Sequence, residues 1–187
     1  MSEWRSFCAI ELTDEVRAQL QNHERRLREA VPEVSASWTR ADNVHLTLKF
    51  FGNVEREKLS GLSDAAESVA KNFTSFQIRI GGTGVFPRPS RAQVLWIGVD
   101  DPSGRLSELQ QRLEDEFDFN KEDRAYRPHL TIARIRKPEG ARRLADAHLQ
   151  MQFETIEVEL KELVVFRSEL SPKGSKYTAI SAADLRA

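Results

Sequence analysis

Two short runs with strict side-chain alternation constrain this chain more than any other feature. Val44 to Phe51 and Pro128 to Ile135 are apolar and β-prone, and each carries a near-identical tetrad, His45-Leu46-Thr47-Leu48 and His129-Leu130-Thr131-Ile132. Successive side chains of a strand take opposite faces, so residues i and i+2 point together. His45 and Thr47 therefore share one face, while Val44, Leu46 and Leu48 turn toward a core. His129 and Thr131 share a face in the same way, against Leu130 and Ile132. The chain presents an imidazole beside a hydroxyl twice, using two of its four histidines at a separation of 84 residues (45 to 129). The plain alternative is two half-buried strands of a duplicated fold with no chemistry.

The pattern around the tetrads reads as alternating helices and strands. Phe7 to Leu12 is a strand, and Thr13 caps a helix whose first turn holds Asp14 and Glu15. Val16, Leu20, His23 and Leu27 form its apolar stripe, which places His23 as a packed structural residue. Trp38 to Phe51 is extended. Glu55 to Lys71 is a second helix with Leu59, Leu62, Ala66 and Val69 on one face. Phe76, Ile78 and Ile80 alternate as a strand that Gly81-Gly82-Thr83-Gly84 is expected to break. No helix follows these glycines, so they are no phosphate loop. Pro87 and Pro89 mark a loop, and Val94 to Val99 reads as a strand buried on both faces. Pro102 opens a third helix with Leu106, Leu109, Leu113 and Phe117. Pro138 to Leu149 is a fourth helix with His148 at its surface. Strands at Phe153–Leu160, Leu163–Phe166 and Lys176–Ile180 close the chain, with a turn over Ser168–Lys176. The tetrad-strand-then-helix unit from Trp38 to Lys71 resembles the one from Arg127 to Leu149. That suggests a degenerate duplication in two lobes, within a single domain spanning residues 1–187.

Composition narrows the function classes. A net charge of −1 gives no global attraction to nucleic acid, but Lys121 to Arg143 carries eight basic residues against three acidic ones. That stretch surrounds the second tetrad and can be either solvated surface or one wall of a phosphate-attracting cleft. Asp100 to Asp118 reverses the balance and reads as solvated surface. The single cysteine, Cys8, excludes an internal disulfide and reads as a small core residue. No signal peptide is expected before Arg5 and no run reaches membrane-spanning length, so the expected location is cytoplasmic, with no membrane partner.

The tetrads and their flanks resemble the two-histidine phosphoesterase superfamily, and most closely the RNA 2′,3′-cyclic phosphodiesterases, also called 2′-5′ RNA ligases. The flanking segments are Arg5-Ser6-Phe7-Cys8-Ala9-Ile10-Glu11-Leu12, Trp38 to Val44, Phe50-Phe51-Gly52-Asn53-Val54, Gly84 to Arg91 with Val94 to Val99, Arg127-Pro128, and Ala133-Arg134. The resemblance covers nearly the whole chain. It implies an α+β bilobal fold: two antiparallel sheets flanked by helices, with a central cleft and a pseudo-two-fold axis. It implies hydrolysis of RNA 2′,3′-cyclic phosphate ends to 2′-phosphates by a monomer without metal or other cofactor. The same site run backwards would join a 2′-phosphate-related end to a 5′-hydroxyl, which accounts for the ligase label.

Such a reaction needs a water deprotonated and a leaving 3′-oxygen protonated. An imidazole with an ordinary pKa of about 6.5 supplies either form near neutrality. The resemblance makes His45 the proton donor and His129 the acceptor; the residues alone leave the order open. Both limbs of a bell-shaped pH profile are expected within a unit or two of about 6.5. Thr47 and Thr131 can hydrogen-bond the non-bridging oxygens as charge gathers there. The family also uses a basic residue five positions past the second histidine, which is Arg134. Strict alternation turns Arg134 away from His129, and a bulge or strand end after Ala133 would be needed to re-aim it. Arg127 is a second candidate cation. Arg88, Arg91, Phe7 and Phe86 are further candidates for contacting RNA or stacking on a base. No H-x-H, H-E-x-x-H or Cys/His cluster suggests a metal site, and nothing near Cys8 would activate a thiolate. Two rival readings are a cyclic phosphodiesterase for small nucleotides, such as ADP-ribose cyclic phosphate, and a non-catalytic nucleotide- or RNA-binding module.

Overall fold

A computed structural model of the chain describes residues 3–117, 125–171 and 174–186. The parts of the basic and acidic stretches at 118–124, Lys121 and Arg124 among them, and Pro172 lie outside the described residues. Two antiparallel sheets form the two lobes. The first has the order β3-β1-β8-β9, with β1 at Glu3–Glu11, β3 at His45–Glu55, β8 at Glu162–Ser171 and β9 at Gly174–Asp184. The second has the order β2-β6-β5-β4-β7. Its strands are β2 at Ser37–Trp38, β4 at Phe76–Phe86, β5 at Val94–Asp100, β6 at His129–Arg134 and β7 at Ile156–Leu160. Each tetrad opens a strand at or near a sheet edge. β3 and β6 approach one another, and the Tyr126 hydroxyl donates to the Thr47 carbonyl at 3.0 Å across the gap.

Four helices cover the inner faces: α1 at Asp14–Ala30, α2 at Leu59–Ala70, α3 at Arg105–Glu116 and α4 at Ala141–Gln150. Thr13 caps α1 by accepting from the Val16 amide, and Val16, Leu20, His23 and Leu27 are buried as their spacing predicts. The helices are exchanged between lobes. α1 leaves the first sheet and packs against α4 under the second. α3 leaves the second sheet and packs against α2 and β3 under the first. Lys49 makes that last contact polar: its fully buried ammonium pairs with Glu114 at 2.6 Å. The exchange ties the lobes into one continuous apolar core that draws on both sheets.

Several boundaries differ from the sequence reading. Gly81 to Gly84 does not end its strand; β4 runs through it with a bulge between Ile80 and Thr83. β5 is not buried on both faces: Leu95, Ile97 and Val99 point inward, but Trp96 is only half-buried and turns outward. The last two strands are longer than their apolar residues indicate and form a hairpin paired from Glu162/Asp184 to Ser171/Gly174. Backbone pairing carries the hairpin past its hydrophobic centre. Asp101 rather than Pro102 sets the start of α3, its carboxylate accepting from the Leu106 and Ser107 amides. His148 is fully buried, not a surface residue. Its Nε2–H donates to the Trp96 carbonyl at 3.0 Å, and its Nδ1 accepts from His23 at 3.0 Å.

Candidate active site

In both tetrads the alternation holds through the third residue. His45 and Thr47 are half-buried and point away from buried Leu46 and Leu48; His129 and Thr131 do the same against Leu130 and Ile132. Each histidine is oriented identically. His45 Nδ1 lies 2.9 Å from the Asn43 carbonyl, and His129 Nδ1 lies 2.7 Å from the Arg127 carbonyl, two residues back in both cases. A carbonyl can only accept, so each Nδ1 carries a hydrogen and each Nε2 is left for chemistry. This gives Arg127 a role through its main chain, while its side chain is exposed.

The alternation then slips at the fourth residue of each tetrad, and in β3 a second time at Phe51. Cys8 pairs with Lys49 but Ala9 pairs with Thr47, so Leu48 is an extra residue in β3. Leu95 pairs with Ala133 but Trp96 pairs with Thr131, so Ile132 is an extra residue in β6. Each tetrad bulge puts two consecutive residues inward: Leu48 with Lys49, and Ile132 with Ala133. The fifth residue past each histidine is thereby returned to the outer face. In β6 that residue is Arg134, whose side chain is exposed. The bulge lies one residue earlier than the sequence argument required, and it aligns Arg134 with His129 and Thr131.

The histidines rest on different floors. His45 stacks on Phe7 with ring centroids 4.6 Å apart, Phe7 stacks on Phe166 at 5.2 Å, and Tyr177 meets the imidazole edge-on at 5.1 Å. Phe7, Ala9, Val164 and Phe166 form an apolar cluster separate from the main core, on the outer face of the first sheet. Burial there pushes the His45 imidazole down to about 4; the Asn43 carbonyl opposes this shift and the Arg17 charge adds to it. Arg17 also holds the turn before His45, donating to the Ala41 carbonyl at 2.7 Å. His129 is instead flanked by Phe86 at 5.1 Å and Trp96 at 6.3 Å. The indole can lie there only because Gly84 has no side chain: a Cβ on Gly84 would fall 2.0 Å from Trp96 Cζ2.

The other candidates are sorted by burial. Phe7 is covered by His45 and cannot offer a free face, and Phe86 is half-buried beside His129. Arg88 and Arg91 sit exposed at the turn joining β4 to β5. Cys8 is fully buried, with its thiol pushed up to about 12 by burial. Among the described residues, no group of three His, Cys, Asp or Glu side chains is placed to hold a metal, and no helix is long and apolar enough to cross a membrane. The contributions of Trp96 and Arg17 are not singled out by the sequence. Gly84 and Gly98, on either side of Trp96 in space, were the available signal for the first.

Residues 16–172 match the family model of the 2'-5' RNA ligase superfamily. The chain belongs to that superfamily. A curated member from Methanothermobacter thermautotrophicus, named RNA 2',3'-cyclic phosphodiesterase, is 35% identical over 93% of this chain and 95% of its own length. A protein of the same name from Thermotoga maritima is 30% identical over 94% of this chain and 92% of its own length. Among solved structures of this fold, TT0787 of Thermus thermophilus superposes with a TM-score of 0.78 at 25% identity, covering 97% and 98% of the two chains. E. coli LigT complexed with 3'-AMP superposes at 0.74 with 26% identity, covering 99% of each.

Proposed function

We propose that this member of the 2'-5' RNA ligase superfamily is an RNA 2′,3′-cyclic phosphodiesterase that opens terminal cyclic phosphates to 2′-phosphomonoesters. The observation that carries the reading is the matched pair of imidazoles on neighbouring strands. Each has its Nδ1–H tied to main chain and its Nε2 free. The names of the curated relatives support the substrate class.

In the proposed step, water attacks phosphorus opposite the 3′-oxygen. His129 Nε2 takes the proton of the water as the new P–O bond forms. His45 Nε2–H gives its proton to the 3′-oxygen as the bond from phosphorus to that oxygen breaks, leaving a 2′-phosphate and a 3′-hydroxyl. Thr47, Thr131 and Arg134 surround the non-bridging oxygens, where charge accumulates. Burial keeps His45 neutral in the free protein. A bound phosphate anion beside the ring favours the imidazolium and opposes that effect. The proton that His45 donates is thus taken up when substrate binds. Ligation is the same step with another nucleophile: a 5′-hydroxyl replaces water, gives its proton to His129 and forms a 2′-5′ linkage, while the bond from phosphorus to the 3′-oxygen breaks and His45 protonates that oxygen.

Both histidines belong to one chain and both sheets share one core, which supports a single two-lobed domain acting as a monomer. We take the cytoplasm as its site of action. The test is incubation with an oligoribonucleotide ending in a 2′,3′-cyclic phosphate, in the presence of EDTA. The expected product is a 2′-phosphate, identified by phosphorus NMR. A 3′-phosphate, or activity that EDTA abolishes and added metal restores, would refute the mechanism. The 3'-AMP complex of E. coli LigT favours one second reading, a cyclic phosphodiesterase for mononucleotides. A higher kcat/KM for nucleoside 2′,3′-cyclic phosphates than for the oligonucleotide would select it.

A further inference from the structure

Tyr126 stands three residues before His129, next to Arg127, whose carbonyl receives the His129 Nδ1–H. Its hydroxyl reaches out of that lobe and donates to the main-chain carbonyl of Thr47 at 3.0 Å. Thr47 lies two residues past His45 on β3. One side chain therefore links the segment that aims one imidazole to the strand that carries the other, across 79 residues of sequence. The bond is well defined. The half-buried ring packs against the main core. Burial holds the phenol above its usual range, so the oxygen keeps its hydrogen, and a carbonyl can only accept it. β3 and β6 meet where this bond is made. The polar faces of the two tetrads, by contrast, point away from the core, whose packing does not by itself fix the spacing between them.

Resting on the function proposed above, we propose that Tyr126 is a positioning residue: through the Thr47 carbonyl, its hydroxyl fixes the separation of His45 and His129. In-line displacement puts the attacking oxygen, phosphorus and the leaving oxygen on one line. The two Nε2 atoms must then stand a set distance apart, and a misplacement of about 1 Å can cost on the order of 100-fold in rate. Tyr126 touches neither substrate nor reacting atoms in this scheme; it acts through the two strands. A bound cyclic phosphate is compact and can be held while the imidazoles are slightly misplaced, whereas the transition state needs both at once. The bond therefore acts on kcat rather than KM.

Tyr126→Phe keeps the ring and removes the hydroxyl. With an oligoribonucleotide ending in a 2′,3′-cyclic phosphate, kcat per folded molecule is expected to fall about tenfold while KM stays within about twofold. On a His45→Ala background no second imidazole remains to be spaced, and Tyr126→Phe should there change the single-turnover rate by less than about twofold. A bond that only stabilises the fold lowers the melting temperature and leaves kcat per folded molecule unchanged; that result overturns the proposal. So does an equal loss with and without His45. Replacing Tyr126 with p-aminophenylalanine keeps a donor in place and should hold kcat at its wild-type value. This variant decides the matter if Tyr126→Phe does not fold, and a tenfold loss in it, with the fold intact, overturns the proposal. If the wild-type protein opens no cyclic phosphate, the proposed function fails in the parent protein, before any variant is compared, and the positioning role falls with it.

Discussion

The two lobes agree in how they present their histidines and differ in what surrounds them. Both present His-x-Thr on an outer strand face, both fix Nδ1 on the carbonyl two residues back, and both insert one extra residue at the fourth tetrad position. They part at the floor beneath the histidine and at the fifth position after it. His45 is sunk in an aromatic cluster and followed by Phe50; His129 lies beside a glycine-backed indole and is followed by Arg134. In-line displacement asks for similar groups on the two sides of phosphorus, and a duplicated strand supplies them.

If the two histidines act as one unit, removing either is the largest effect available. His45→Ala and His129→Ala should each lower kcat by about 10²–10⁴-fold. The double variant should lose far less than the product of the single losses. Multiplicative losses, measured by single-turnover kinetics, would show two lobes working independently.

Arg134 tests the divergent position. A charge-assisted hydrogen bond to phosphate contributes about 1.5–3 kcal/mol, so Arg134→Ala should lower kcat/KM by about 10- to 100-fold for substrates with or without a base. An unchanged kcat/KM would remove Arg134 from the phosphate site.

Gly84→Ala tests the floor of the second lobe. The added methyl group collides with the Trp96 indole, and overpacking of this kind costs about 1–3 kcal/mol. The melting temperature should fall, and turnover should fall further than it does for Gly61→Ala, where a Cβ meets nothing within 4 Å. Equal turnover in the two variants would remove Trp96 from the support of His129.

Acid sharpens the comparison with the smallest change. The acid limb of kcat/KM reports the free enzyme, and His45 is held near 4 there. That limb should lie well below the pH of about 6.5 around which unperturbed imidazoles place both limbs. Folding stability should follow. His45 and His23 are depressed to about 4, and His148 is lowered too, by burial in each case. Between about 6.5 and 4 the unfolded chain binds more protons than the folded one, so stability present above about 6.5 is lost as pH falls through this window. Thermal melts at pH 7 and pH 5 check this; a higher melting temperature at pH 5 would contradict the burial of these rings.

The sequence made the tetrad strands, the helix stripes and the two-lobed arrangement legible, because period-2 and period-3.6 patterns report directly which face is buried. It did not show the bulges. Leu48 and Ile132 are ordinary strand residues, and an extra residue changes register without changing composition. Parity counting therefore misdirected Arg134. His148 was misplaced for another reason: a polar residue on a short helix reads as exposed unless its partner is known, and that partner is the Trp96 carbonyl, 52 residues away in sequence. The glycines before Phe86 read as a break because composition does not show what each serves: Gly84 admits the Trp96 indole from the next strand, Gly81 lies against Thr155, and Gly82 takes the positive φ of the bulge.

The carbonyls of Asn43 and Arg127 that orient the histidines have an evolutionary corollary. Many imidazoles are aimed by a carboxylate, which a single base change in the gene can remove. Here the aiming group is the peptide unit itself, present whatever residue occupies position 43 or 127. Drift at those codons leaves the tautomer intact, so that part of the site can be inherited through wide divergence without selection acting on any one side chain.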